Sequence, residues 1–111
     1  MNNSEERFLV TGAGGCIGAW VVALLAREGA QVVGVDLDPD VPRLREIAGA
    51  ELASAIPIER GDITLIGDLT RVMDAHEITN VIHLAALQIP FCRATPALGA
   101  TVNVVGTVNV F

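Results

Sequence analysis

Tyrosine and lysine are both missing from these 111 residues, and all seven basic side chains are arginine: Arg7, Arg27, Arg43, Arg45, Arg60, Arg71 and Arg93. Acid/base work by a phenol held beside an ammonium is therefore excluded within this stretch. Basic charge is scarce overall. Thirteen carboxylates against seven guanidinium groups leave a formal net charge of -6, which argues against a nucleic-acid footprint and against an anionic membrane surface. No apolar run approaches the roughly 20 residues that span a bilayer, and Met1-Asn2-Asn3-Ser4-Glu5-Glu6 lacks the basic start of a signal peptide. The only two cysteines, Cys16 and Cys92, match no metal-ligand spacing and read as free thiols in a reducing compartment. These absences make a cytoplasmic location the expectation. The length bounds the chain to one domain at most.

What is present starts with a glycine-rich run, Thr11-Gly12-Ala13-Gly14-Gly15-Cys16-Ile17-Gly18, which follows apolar Phe8-Leu9-Val10 and opens a helical pattern. A G-x-G-x-x-G reading from Gly12 fails, because position 17 is Ile17. The spacing that fits is T-G-x-x-G-x-x-G, on Thr11, Gly12, Gly15 and Gly18. Gly12 permits a tight turn, Gly15 lets phosphate oxygens approach the backbone, and Gly18 lets the helix lie close on the sheet. A pyrophosphate on the helix N-terminus is the function such a turn serves.

Beyond the turn, Ile17, Val21, Leu24 and Leu25 recur at helical spacing up to Glu28-Gly29, where Gly29 suits a left-handed cap. Gln31 to Asp36 reads as a β-branched strand. Asp40 is placed to cap a short helix carrying Pro42, Leu44, Ile47 and Ala48, and Ile56 to Glu59 reads as an edge strand because Pro57 cannot donate to a ladder. Leu65, Leu69, Val72 and Met73 form the stripe of the next helix, and Val81 to Leu84 reads as a central strand. Leu87 to Pro96 reads as a loop. A last helix begins near Pro96 with Leu98, Val102, Val105 and Val108 on one face. The alternation predicts an α/β fold, a doubly wound parallel sheet of the Rossmann type with strand order 3-2-1-4 and the glycine turn at the carboxyl edge of the strands.

Asp36, at the end of the second strand and 18 residues after Gly18, can accept hydrogen bonds from an adenosine ribose or serve only as a turn residue. In the first role it would repel a 2′-phosphate by roughly 4 kcal/mol per charge pair at about 4 Å and an effective dielectric near 20. Leu37 follows it, not a neutralising arginine, so NAD is expected over NADP. Gly61-Asp62-Ile63, read alone, is an ordinary turn; in register with the glycine turn and Asp36 it is placed to meet an adenine edge.

Thr11 to Gly18, Asp36, Gly61-Asp62-Ile63, His83-Leu84-Ala85-Ala86 and Asn103-Val104-Val105-Gly106-Thr107 together resemble the extended short-chain dehydrogenase/reductases. The likeness is to the NAD-dependent epimerase/dehydratase group acting on nucleotide sugars. The resemblance implies that the backbone around Gly12, Gly15, Cys16, Ile17 and Gly18 holds a pyrophosphate, that Asp36 binds the adenosine ribose, and that Asp62 and Ile63 line an adenine pocket. It also implies that Leu84, Ala85, Ala86 and Leu87 pass beneath the cofactor, that His83 fixes the backbone after its strand, and that Asn103 ties the last helix to that strand. Val102 stands where the family often presents a polar cofactor contact.

Such enzymes use a Tyr-x-x-x-Lys pair whose lysine lowers the phenol pKa for acid/base work. The expectation is therefore an NAD-binding Rossmann domain over residues 1–111, ending within its fourth helix, with no substrate domain and no catalytic residue, inactive alone. A complete enzyme would take a nucleotide-sugar-like molecule and could form a homodimer; the alternative is a non-catalytic dinucleotide-binding module. Without a fifth strand, the strand at Val81 becomes an apolar sheet edge, from which marginal stability is expected.

Overall fold

The computed structural model describes residues 5–86 and 89–111, with the backbone alone for 89–91. Expectations placed on Leu87 and Gln88 lie outside the described residues. Four strands, β1 (Arg7–Thr11), β2 (Gln31–Asp36), β3 (Ile58–Arg60) and β4 (Asn80–His83), form one parallel sheet in the order β3-β2-β1-β4. The registers pair Leu9 of β1 with Val33 of β2 and Val81 of β4. Successive strand side chains point to opposite faces, so both faces of this sheet are apolar. Val10 and Val32 meet α1 (Cys16–Arg27), α2 (Pro42–Ala48) and α3 (Ala50–Ser54) on one side. Leu9, Val33 and Val35 meet Val72 of α4 (Ile66–His76) on the other. Burying each such Leu or Val stabilises by about 1.5–3 kcal/mol.

After β4 the chain forms a short helix α5 (Ile89–Ala94), where the two prolines had led to the expectation of a loop. Pro90 lies in its first turn, where a missing N–H costs nothing. Next come α6 (Pro96–Ala100), a π-helical turn (Thr101–Val105) and α7 (Gly106–Val110). Among the described residues no helix is long and apolar enough to cross a membrane.

Helix rotation is where the structure departs most from the sequence pattern. The expected inward stripe of α1 is only half right: Val21 and Leu25 touch the core, but Ile17 is 67% and Leu24 51% exposed. Ala19, Val22 and Ala23 are buried instead. The cause is Gly18, where an added Cβ would stand 1.9 Å from the Gly12 carbonyl oxygen. That backbone approach pins the helix with its small residues inward. The valine stripe of the last helix is corrected likewise, since Leu98, Val105 and Val108 are exposed while Gly99, Gly106 and Val110 are buried. The π-helical turn adds a residue to its circuit, and Gly106 packs so tightly on Ile63 that a Cβ would lie 2.6 Å from Ile63 Cδ1.

Smaller corrections share one theme, that local groups find partners the pattern does not specify. Asp40 does not cap α2; Val41 stands at that position without a side-chain bond, and the Asp40 carboxylate pairs with Arg45 at 2.6 Å. Leu65 precedes α4 and is exposed, while Leu69 and Val72 are buried as expected. Gly29 takes the expected left-handed conformation at φ +81°. Pro57 sits before edge strand β3, its carbonyl accepting from the Gly34 amide at 3.0 Å.

Candidate functional site

The turn between β1 and α1 is stapled to the end of β2. Gly12, at φ +73°, and Ala13 both donate their amides to the Val35 carbonyl, at 2.9 and 3.3 Å. The Gly14 amide donates to Asp36 Oδ2 at 2.9 Å. Gly15 closes the turn on the Gly12 carbonyl at 3.0 Å and stands just before α1 in extended conformation, with no side chain to cap the helix. The opening amides of α1, at Cys16, Ile17 and Gly18, have no intrahelical partner and carry the positive end of the helix dipole.

Those amides face a cleft of about 410 Å³ at the carboxyl ends of the strands. Gly12, Gly15, Cys16, Ile17 and Gly18 line it from the turn, and Asp36 lines it from the end of β2. Asp62 and Ile63, after β3, and Leu84, Ala85 and Ala86, after β4, complete the walls. Eleven of the twelve residues singled out in the sequence thus share one cavity; the twelfth, Leu87, lies outside the described residues. A Cβ added at Gly15 would meet one atom within 4 Å, the Gly12 oxygen at 3.3 Å. Its absence leaves open space beside the opening amides of α1.

The two carboxylates of the cleft are held differently. Asp36 uses Oδ2 to fix the glycine turn, a role its position in the sequence did not disclose. Arg43 reaches the same corner, donating from Nη1 to the Gly14 carbonyl at 3.4 Å. Asp62 accepts on Oδ1 from both the amide and the hydroxyl of Thr64, at 2.9 and 2.6 Å, and its own amide donates to Asp68 Oδ2 at 3.0 Å. Its turn character is therefore real, and it leaves Oδ2 for a ligand.

Several links around the cleft join residues far apart in sequence and had no local signal. Thr11 is fully buried, and its hydroxyl oxygen accepts the Leu84 and Ala85 amides at 2.9 and 3.1 Å while standing 2.6 Å from His83 Nδ1. His83 does fix the backbone after β4, through Thr11. Thr107 ties its helix to β4, its Oγ1 lying 3.0 Å from His83 Nε2, and the Asn103 amide reaches Cys92 Sγ at 3.4 Å. Asn109 Nδ2 donates to the Ile63 carbonyl at 3.0 Å, across 46 residues. Val102 joins the cleft wall as an apolar surface. Arg93 is exposed, and Cys16 is an exposed thiol at the first turn of α1.

Known proteins resemble the chain over nearly its whole length. A UDP-glucose 4-epimerase of Mycolicibacterium smegmatis is 40% identical over 105 residues, covering 93% of this chain and 33% of that protein. A bifunctional UDP-glucose 4-epimerase and UDP-xylose 4-epimerase of Arabidopsis thaliana is 32% identical, covering 96% of this chain and 32% of its own length. Among solved structures, a UDP-glucose-4-epimerase from Stenotrophomonas maltophila with bound NAD and formylated UDP-arabinopyranose superposes with a TM-score of 0.81 at 27% identity. That match covers 95% of this chain and 32% of the other. The chain thus spans about a third of the length of the relatives it matches. The model of the NAD dependent epimerase/dehydratase family matches residues 8–111, and the chain belongs to that family.

Proposed function

We propose that this chain is the NAD(H)-binding portion of an epimerase/dehydratase-type oxidoreductase that, when complete, acts on nucleotide sugars or related hydroxy and keto compounds. The observation that carries the reading is the meeting, in one cleft, of the three opening α1 amides, which have no intrahelical partner, the open space at Gly15 and the Asp36 carboxylate. This donor set fits a dinucleotide. Amides of Cys16, Ile17 and Gly18 would hold the pyrophosphate, Asp36 the adenosine ribose, and Asp62 with Ile63 the adenine. Small Ala85 and Ala86 leave room for the cofactor to pass toward its nicotinamide end, with Leu84 beside them and Leu87 as the next position along.

When bound, the cofactor supplies a hydride acceptor. The present chain would orient it through the cleft residues, and it holds neither the tyrosine nor the lysine of a Tyr-x-x-x-Lys pair. Proton transfer and substrate choice are assigned to sequence beyond these residues. The bare apolar stripe of Leu98, Val105 and Val108 supports the idea that more polypeptide packs here, in a cytoplasmic protein for which a homodimer is one arrangement.

Titrating the purified chain with NAD⁺ by calorimetry tests the reading. Gly15→Val should lower affinity about 100-fold by filling the phosphate space, yet keep the unfolding midpoint close to the parent because φ at that position is -74°. Unchanged affinity in Gly15→Val would refute the site. Binding without turnover, even after the natural downstream sequence is restored, would favour a non-catalytic module.

A further inference from the structure

Among the described residues, Thr11, His83 and Thr107 form a hydrogen-bond chain whose proton positions are dictated by its ends. Thr11 Oγ1 accepts two amides, from Leu84 at 2.9 Å, an N–H it shares with the Thr11 carbonyl at 3.2 Å, and from Ala85 at 3.1 Å. A hydroxyl has two acceptor sites and one proton, so the Thr11 O–H is left to donate, and the atom facing it at 2.6 Å is His83 Nδ1. Nδ1 must therefore be bare, and the ring proton sits on Nε2, donating to Thr107 Oγ1 at 3.0 Å. Thr107 in turn donates to the Asn103 carbonyl at 2.8 Å. Every group in the chain is matched only when His83 is neutral.

We propose that Thr11 and His83 act as a proton-gated clamp that holds the Leu84–Ala85 wall of the cleft against the glycine turn, so that nucleotide binding weakens when His83 takes up a proton. The proposal rests on the nucleotide reading above and assigns His83 as a positioning residue. An imidazolium would direct Nδ1–H at an oxygen whose acceptor sites are already filled, and would strand the Thr11 proton. The wall has no slack to absorb this, because a Cβ at Gly12 would already lie 2.9 Å from the Ala85 nitrogen.

Among the described residues, the groups bonded to or edge-on to His83 are uncharged: Thr11 from β1, Thr107 from α7 and the Phe111 ring at 6.2 Å. Burial alone lowers the His83 pKa from its ordinary 6.5. An unfolded His83 thus binds its proton at higher pH than the folded one. The clamp's contribution to stability is complete above the unfolded value of 6.5 and is lost as pH falls through the lower folded value.

Nitrogen-detected NMR of the imidazole, with NAD⁺ calorimetry on the same 111-residue chain, tests the clamp. The Nε2–H tautomer is expected near neutral pH, and the Nδ1–H tautomer would overturn the proposal. Between about pH 8 and pH 5, with circular dichroism confirming the fold at both, NAD⁺ affinity should fall several-fold. His83→Asn, whose carbonyl can still accept from Thr11 but which cannot take up a proton, should flatten that profile. An undiminished pH step in this variant, or in Thr11→Val should His83→Asn fail to fold, would overturn the clamp. A complete lack of NAD⁺ binding would refute the proposed function instead. The Leu84 and Ala85 amide resonances would then decide the clamp alone, moving with His83 titration if it holds and staying still if it does not.

Discussion

The two ends of the sheet carry hollows of similar size, about 410 Å³ at the carboxyl ends of the strands and about 380 Å³ at the amino ends, but their walls offer different chemistry. The amino-end hollow is bordered by Arg7, Gln31, Pro57 and His76. Polar groups there are engaged with one another. The Arg7 amide and carbonyl are both taken by Thr79, and His76 Nε2 lies 2.8 Å from Glu59 Oε2. At the carboxyl end the opening amides of α1 remain unspent. The asymmetry follows from topology, because helices that return a parallel strand point their N-termini at the carboxyl edge. Volume does not single out the site; helix direction does.

The comparison breaks most visibly at Gly18. Gly18→Ala would press a methyl group onto the Gly12 carbonyl, and should cost about 3 kcal/mol in denaturant unfolding and abolish NAD⁺ binding. A parent-like unfolding midpoint would show that the turn is not held as described. A smaller and more selective effect is expected at Asp36. Asp36→Ala removes both the proposed ribose acceptor and the Gly14 tether, lowering NAD⁺ affinity about 10- to 100-fold. The same change should raise NADP⁺ affinity, because Arg43 already stands at that corner; competition calorimetry with the two nucleotides reads both shifts. The smallest effect belongs to the opposite end. His76→Ala should leave NAD⁺ affinity within about twofold and cost no more than about 1 kcal/mol of stability, and a larger loss of affinity would erase the distinction between the ends.

Much of the carboxyl end is legible in the sequence. Gly12, Gly18 and Asp36 announce themselves because glycine at a strand-to-helix turn and a carboxylate at the next strand end answer local backbone needs. Strand order followed from the alternation and its handedness. What stayed hidden depends on docking. Periodicity marks α1 as amphipathic, yet only the contact of Gly18 with the Gly12 carbonyl decides that Ala19 and Val22 turn inward and Ile17 outward. The links from His83 to Thr107 and from Ile63 to Asn109 span 24 and 46 residues, and no spacing rule connects such pairs. Asp36 was recognised for the ligand it would meet, while its grip on Gly14 was visible only in space.

The bond between Asn109 and Ile63 bears on the order in which the protein is made. Ile63 borders the cleft, but its carbonyl is held from the far end of the chain, and the hollow its side chain fills is shaped by Gly106 and Val110. On the ribosome, β1 to β3 emerge with the glycine turn long before that helix does. The glycine-turn end of the cleft can thus be assembled early, whereas the wall at Ile63 must wait for nearly fifty more residues to be synthesised. A nascent chain would acquire the two ends of the cleft in sequence rather than at once.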